Sequence, residues 1–362
     1  MKISISRFVE VHRSARVLQV SGMFDIPPAQ ISQEEWTGDL PIEQKDWHVG
    51  LIVGPSGCGK STIAKELFGD ALVQGYDWSP DRSILDGFPP DLSVSEITQV
   101  LGQVGFSSPP LWLRPFHVLS NGQQFRVTVA RSILGERQLF AIDEFTSVVD
   151  RVVAQIGSAA IGKAVRARKR KFVAVSCHYD IIPWLQPDWV FEPATMRFDW
   201  RSVQPRPPIN IEIRRVHRSA WNIFKKYHYL TADLHTAAHC YVAFYGDTPV
   251  AFFAVLASMN PVETIWRLHR TVCLPDYQGC GIATAATDAI AAFYATSGRR
   301  VYAATGHPGL VRYRAKSPLW EMTTTPHISR RAGDRLVATF RYVGKVQEDL
   351  RAFTERTKKT AV

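Results

Sequence analysis

Eight consecutive residues, Gly54-Pro55-Ser56-Gly57-Cys58-Gly59-Lys60-Ser61, keep the spacing of a phosphate-binding loop, GxxxxGK followed by Ser or Thr. Glycines there let successive backbone N–H groups turn inward around phosphate oxygens, and a following helix adds its N-terminal dipole. Lys60 would reach the β- and γ-phosphates and Ser61 would ligate Mg²⁺, with Thr62 next on the helix. Further along, Leu139-Phe140-Ala141-Ile142 ends in Asp143-Glu144. In that place Asp143 would hold Mg²⁺ through water and Glu144 would polarise an attacking water as general base. A second glycine-bearing loop, Gln278-Gly279-Cys280-Gly281-Ile282-Ala283, follows a run ending in Val272-Cys273. By itself that spacing fits a pyrophosphate-binding loop or a plain strand–turn–helix connection.

These residues need elements to hold them. Val49–Val53, Leu139–Ile142 and Phe172–Val175 are short apolar runs that read as buried strands. Helical patterns at Ser61–Phe68 and Gln123–Leu134 separate them, which predicts an α/β region with a mainly parallel sheet. Downstream, Cys240–Tyr245, Val250–Leu256 and Ile265–Cys273 precede a helix over Ile282–Tyr294 and a strand at Val301–Thr305. Consecutive strands before a helix predict a mixed sheet. A proline-marked stretch from Pro193 to Pro208 separates the two patterns. The expected domains are therefore 1–204 and 205–345, with a basic tail over 346–362.

At 362 residues with 46% hydrophobic content the chain is too apolar to be disordered and long enough for two cores. No apolar run reaches the roughly 18 residues of a membrane span, so no transmembrane segment is expected. Met1–Arg7 alternates like a strand. Five scattered cysteines without a CxxC pair fit a reducing, cytoplasmic setting. The formal charge is +10, and it is uneven. Residues 151–179 hold no acid but carry Lys163, Arg166, Arg168, Lys169, Arg170 and Lys171. Residues 289–320 also lack acids and carry Arg299, Arg300, Arg312, Arg314 and Lys316. Such fields suit a polyanion, and the second could also serve phosphates of a small ligand.

Three more segments accompany the phosphate loop: Leu119-Ser120-Asn121-Gly122-Gln123, Ser147-Val148-Val149-Asp150, and His178 closing the run 172–177. With Lys60 and Glu144 they resemble, in order, the ABC-type ATPases over about residues 1–200. The resemblance implies an ATP-dependent homodimer in which Ser120, Gly122 and Gln123 meet ATP held by Lys60 of the partner subunit. It also implies nucleotide contact for Asp150 and γ-phosphate sensing by His178. Asn121 departs from the family's glycine but tolerates left-handed backbone better than most residues. Asp86 stands where a glutamine loop is expected, and Phe24 is the candidate adenine-stacking aromatic.

The later loop resembles that of the GNAT-type acyltransferases, over about residues 210–340. Gln278, Gly281 and Ala283 match a coenzyme A loop that reads Gln or Arg, two residues, Gly, one residue, Gly or Ala. The resemblance implies acetyl-coenzyme A or another acyl-coenzyme A as donor, with Val272 and Cys273 beside the thioester. Tyr313 falls where family members keep a general acid for the leaving thiolate. His269 and Glu263 are the candidate bases. Cys280 could be a nucleophile, though a small-residue role in the loop suits it better.

His235 and His239 are spaced to share a helical face, but no Glu lies between them as in HExxH, which argues against a metal there. Trp221, Phe224, Lys225, Lys226, Tyr227 and His228 read either as an acceptor-side helix that stacks on an unpaired base or as an amphipathic helix facing a core. The expected acceptor is an amino group on a DNA or RNA base. The alternatives are a protein lysine or small amine, or a nucleic-acid-binding ATPase whose acyltransferase fold only binds.

Overall fold

Val49–Val53 is buried along its whole length, as a strand flanked on both sides must be. It is β3 of a computed structural model that describes residues 1–10, 12–24, 31–204, 208–228, 233–259, 263–329 and 335–346. Before it, β1 (Lys2–Glu10) and β2 (Ile31–Asp39) form an antiparallel ribbon, with α1 (Ala15–Phe24) between them. After it, α2 (Lys60–Phe68) starts directly behind the phosphate loop. The strands β4 (Leu139–Ile142), β5 (Lys171–Ser176), β6 (Trp189–Glu192) and β7 (Arg197–Trp200) complete a sheet of order β4-β5-β3-β6-β7. All neighbours are parallel except β6 and β7. Between β3 and β6 the chain also makes α3 (Val94–Gln103), α4 (Pro109–Trp112), α5 (Asn121–Ile133), α6 (Arg151–Ala167) and α7 (Ile182–Leu185).

The second sheet holds β8 (Glu212–Val216), β9 (His239–Tyr245), β10 (Thr248–Met259), β11 (Thr264–Cys273), β12 (Val301–Thr305), β13 (Trp320–Ser329) and β14 (Arg335–Tyr342). Its order is β13-β14-β12-β11-β10-β9-β8. Only β11 and β12 are parallel neighbours, so it is the mixed sheet that consecutive strands before a helix predict. Alternation along β9 and β10 divides two cores. Tyr241, Ala243, Phe253 and Val255 face α9 (Ile282–Ala295), whereas Cys240, Val242, Phe252 and Ala254 face Trp221 and Phe224 of α8 (Trp221–Phe224). The short helix α10 (Pro308–Lys316) follows β12.

Two compact units result, each discontinuous in sequence. The first comprises Met1–Gln74, Arg137–Val148 and Val165–Pro205; the second comprises Gly75–Glu136, Val149–Ala164 and Arg206–Val362. Residues 75–136 and 149–164, expected in the ATPase half, pack into the second unit. The expected boundary at 205 lies outside the described residues, as does nearly all of the 346–362 tail.

Candidate functional site

Because β4, β5 and β3 are adjacent and parallel, the loops after their carboxyl ends leave from one edge. Val53 pairs with Ser176 and Ile142 with Ala174. That register brings together the loop carrying Lys60 and Ser61, the pair Asp143-Glu144, and His178. Within the first loop Gly57 and Gly59 take φ of 81° and 86°, which opens the turn in front of α2. The Lys60 ammonium donates across the loop to the Pro55 carbonyl at 2.7 Å. Sequence reasoning missed Trp36. Its indole donates to the Cys58 carbonyl at 3.2 Å, and a Cβ on Gly59 would lie 2.3 Å from its ring. Trp36 therefore braces the loop from behind and forbids a side chain at Gly59.

Glu144 and Thr146 hold φ of 52° and 70°, uncommon for residues with a Cβ. Hydrogen bonds keep that turn in place. The Glu144 N–H donates to Asp143 Oδ1 at 2.8 Å, and the Ser147 hydroxyl donates to the Glu144 carbonyl at 2.6 Å. The Ser176 hydroxyl donates to the Phe145 carbonyl and accepts from the His178 N–H, both at 3.1 Å. One buried hydroxyl thus fixes both the acidic turn and the backbone of His178, while Glu144 stays exposed. This fixed, strained geometry suits a group that must meet a reacting atom.

Ser120, Gly122, Gln123 and Asp150 belong to the second unit. The Ser120 N–H donates to Gln123 Oε1 at 3.1 Å, so Gln123 caps the start of α5. Asp150 Oδ1 accepts from the Val152 and Val153 N–H groups at 3.0 Å, capping α6. Asp86 is exposed and accepts from the Ser83 hydroxyl at 2.8 Å. Phe24 is 66% exposed at the end of α1.

The donor loop bridges β11 and α9. Gly279 and Gly281 take φ of 90° and 94°, and Gly281 caps α9. Among the described residues a Cβ on Gly281 would meet only Thr284 Oγ1, at 3.7 Å, so they leave this side of the loop open. Ile282 is buried under the turn and Ala283 is half-buried. Gln278 is engaged at both ends of its amide, which donates to the Cys273 carbonyl at 2.8 Å and accepts from the Ser107 N–H at 2.5 Å. The Cys280 thiol donates to the Tyr277 carbonyl at 3.4 Å, and burial pushes it above the usual thiol range. Burial raises Cys273 as well. Neither thiol is a ready nucleophile at neutral pH.

Strand β11 pairs with β12 only at Trp266, Arg267 and Leu268. Against β10, Ala254 pairs with Arg270 but Val255 with Leu268, leaving His269 as the extra residue of a bulge. His269, Val272 and Cys273 therefore lie where β11 has left β12. Burial first, and then the charges of Arg270, His235 and Arg267, lower His269 to about 4, so its imidazole is neutral at physiological pH. Its Nε2 is buried and accepts no hydrogen bond among the described residues. Glu263, the other candidate base, pairs with Arg300 at 3.0 Å.

Tyr313 lies on α10 and donates its hydroxyl to Asp288 of α9. Sequence reasoning missed Asp288. Its signal was available, a lone carboxylate in the otherwise apolar and small-residue helix 282–295.

His235 and His239 do not share a helical face, contrary to their spacing. His235 precedes a turn, whereas His239 begins β9 and meets the Tyr294 hydroxyl at 2.6 Å. Trp221 and Phe224 pack on Phe252, with centroids 5.0 and 5.7 Å away, so that face turns inward. Lys225 and Lys226 are exposed beside them. Parts of both basic stretches are engaged internally. Arg166 pairs with Asp188 at 3.0 Å, and the buried Arg314 stacks on Trp320 at 4.8 Å. Among the described residues no helix is long and apolar enough to cross a membrane.

Residues 199–312 match the model of the Acetyltransferase (GNAT) family. The Molybdenum import ATP-binding protein ModC of Rhodobacter capsulatus is 27% identical over 159 residues, 33% of this chain and 42% of that protein. The Zinc import ATP-binding protein ZnuC of Paracoccus denitrificans is 29% identical over 170 residues, 39% of this chain and 65% of that protein. The chain thus spans less than two thirds of either relative. A solved structure of cbiO1 from Clostridium perfringens, part of the ABC transporter complex cbiONQ, has 20% identity and a TM-score of 0.32. It covers 41% of this chain and 74% of that one.

Proposed function

We propose that this chain, which joins an ABC-type ATPase region to a GNAT-type acyltransferase region, hydrolyses ATP and transfers an acyl group from an acyl-coenzyme A to an amine. The carrying observation is the shared edge of β3, β4 and β5, where Lys60, Ser61, Asp143, Glu144 and His178 leave together. On the donor side, support comes from the open Gly281 turn at the start of α9 and from the end of β11 pairing at Leu268.

In this reading Gly54–Thr62 wraps the phosphates and Glu144 takes a proton from the attacking water. Ser61 and Asp143 would hold Mg²⁺, which supplies charge neutralisation at phosphate oxygens when bound. His178 senses the γ-phosphate, and a head-to-tail homodimer brings Ser120, Gly122 and Gln123 to it. In the acyltransferase region the acceptor nitrogen forms a bond to the thioester carbon and the C–S bond breaks. His269, whose buried Nε2 is neutral and has no hydrogen-bond partner among the described residues, takes the ammonium proton, and Tyr313 supplies one to the departing sulfur.

Transfer from a thioester does not need ATP energetically, so the ATPase region implies mechanical work on the acceptor. An exocyclic amine of a stacked nucleic-acid base is such an acceptor, because the base must leave its stack before chemistry reaches it. The +10 charge and the exposed Lys163, Lys169, Lys225 and Lys226 favour that polyanion. The internal use of Arg166 and Arg314 favours a second reading, in which the acceptor is a protein lysine or small amine. Incubation of the protein with labelled acetyl-coenzyme A and DNA, tRNA or protein, with and without ATP, tests both. Label on nucleic acid that depends on ATP supports the first reading. Label on protein or small amine alone supports the second, and no labelled product sinks the transferase activity.

A further inference from the structure

Arg126 sits one turn into α5, four residues after Gly122, and is only 2% exposed. Its guanidinium forms no salt bridge among the described residues. Instead Nη1 donates to the carbonyls of Val104 (3.3 Å), Gly105 (3.0 Å) and Gln278 (3.3 Å), and Nη2 donates to that of Asp276 (2.9 Å). A buried guanidinium is tolerated only when its donors are used, and these donors join two loops far apart in sequence. At the same place a Cβ on Gly279 would lie 2.6 Å from Gly105 Cα, so backbone rests on backbone. Both glycines are left-handed, at φ of 90° and 86°. The Ser107 N–H adds a bond to Gln278 at 2.5 Å, and the Ser107 carbonyl meets His307 Nε2 at 2.9 Å.

The contact extends to the start of α5. A Cβ on Gly122 would lie 3.9 Å from Asp276 Oδ1. Residues 122 and 126 share one face of a helix, and both face the segment leading into the donor loop. Close-packed backbone leaves no slack, so a displacement of α5 carries the loop with it.

We propose that Arg126 is a positioning residue for the acyl-donor loop, through which nucleotide engaged at Ser120 and Gly122 sets that loop's geometry. This rests on the reading of Ser120–Gln123 as nucleotide-contacting and of 278–283 as the donor loop. ATP-driven dimerisation then changes acyl-coenzyme A affinity, and by linkage the donor changes nucleotide affinity by the same factor.

The test uses the full chain with and without a non-hydrolysable ATP analogue. It reads amide hydrogen exchange over 276–283 and, separately, the Kd for acetyl-coenzyme A. The analogue is expected to shift both by about fivefold or more. Arg126→Met and Gly105→Ala should still bind the analogue while the loop's response falls below about twofold, and Arg126→Lys should restore part of it. A wild-type loop that exchanges identically with bound analogue overturns the proposal, as does a full response in both variants. If the loop responds but acetyl-coenzyme A never binds, the donor reading fails and the Arg126 coupling stands. If the analogue itself does not bind, both fall.

Discussion

Tyr313 gives its hydroxyl hydrogen to Asp288, whose other carboxylate oxygen accepts from the Trp320 indole at 2.7 Å. One acid thus ties α9, α10 and the start of β13. Burial, then the bond to Asp288 and its charge, push the Tyr313 phenol up to about 12. A proton donor with that pKa stays protonated across the physiological range, and Asp288 orients it.

Asp288→Asn should bring the Tyr313 phenol down toward its ordinary value of about 10, read by ultraviolet absorbance titration. The sign follows from a raised folded-state pKa. Its contribution to wild-type stability is present below about 10 and lost as pH rises toward about 12. A Tyr313 titration that is the same in both proteins would remove Asp288 from this role.

His269 has the opposite sign, because its folded-state pKa is depressed to about 4. Its contribution to stability is present above the unfolded value of about 6.5 and is lost as pH falls toward the folded one. Proton resonance titration of the imidazole should place its midpoint well below that unfolded value. His269→Asn should slow acyl transfer by about a hundredfold with acetyl-coenzyme A affinity unchanged. Loss of affinity with an unchanged turnover rate would instead make His269 part of the donor site.

Glu144→Gln should reduce ATP hydrolysis by about a hundredfold or more while keeping ATP bound. Size-exclusion chromatography with ATP should then show a dimer. A variant that stays monomeric with bound ATP contradicts the head-to-tail arrangement.

Gly281→Val places a β-branched residue at φ of 94°, a conformation such residues rarely adopt. Space is not the obstacle, since among the described residues only Thr284 Oγ1 lies within 4 Å. The strain, about 1–2 kcal/mol, should distort the turn and weaken acetyl-coenzyme A binding by about tenfold or more, measured by calorimetry. ATP hydrolysis should be preserved.

Much of the architecture was legible before the structure. Val49–Val53, Leu139–Ile142 and Val301–Thr305 are strands over the same residues, and the other expected strands differ by a few residues at their ends. The helix behind the phosphate loop starts at Lys60, one residue before the expected Ser61. These features are local: a run of apolar residues, or a glycine before a helix, states its own backbone requirement. The helical face expected for His235 and His239 did not form, because β9 begins at His239 and sheet pairing overrides a local spacing.

The residue types at the two loops, Lys60 and Glu144 among them, and the strand–loop–helix context of each were determined by sequence alone. Only the tertiary structure decided that Trp36 braces the phosphate loop, that His269 occupies a bulge, and that Asp288 holds Tyr313. It also decided that Gly105 meets Gly279 and that Arg126 joins their loops. A local pattern encodes the conformation of its own backbone. It carries no record of which distant carbonyl a buried guanidinium will reach, because that partner is chosen by packing and by the need to satisfy every buried polar group.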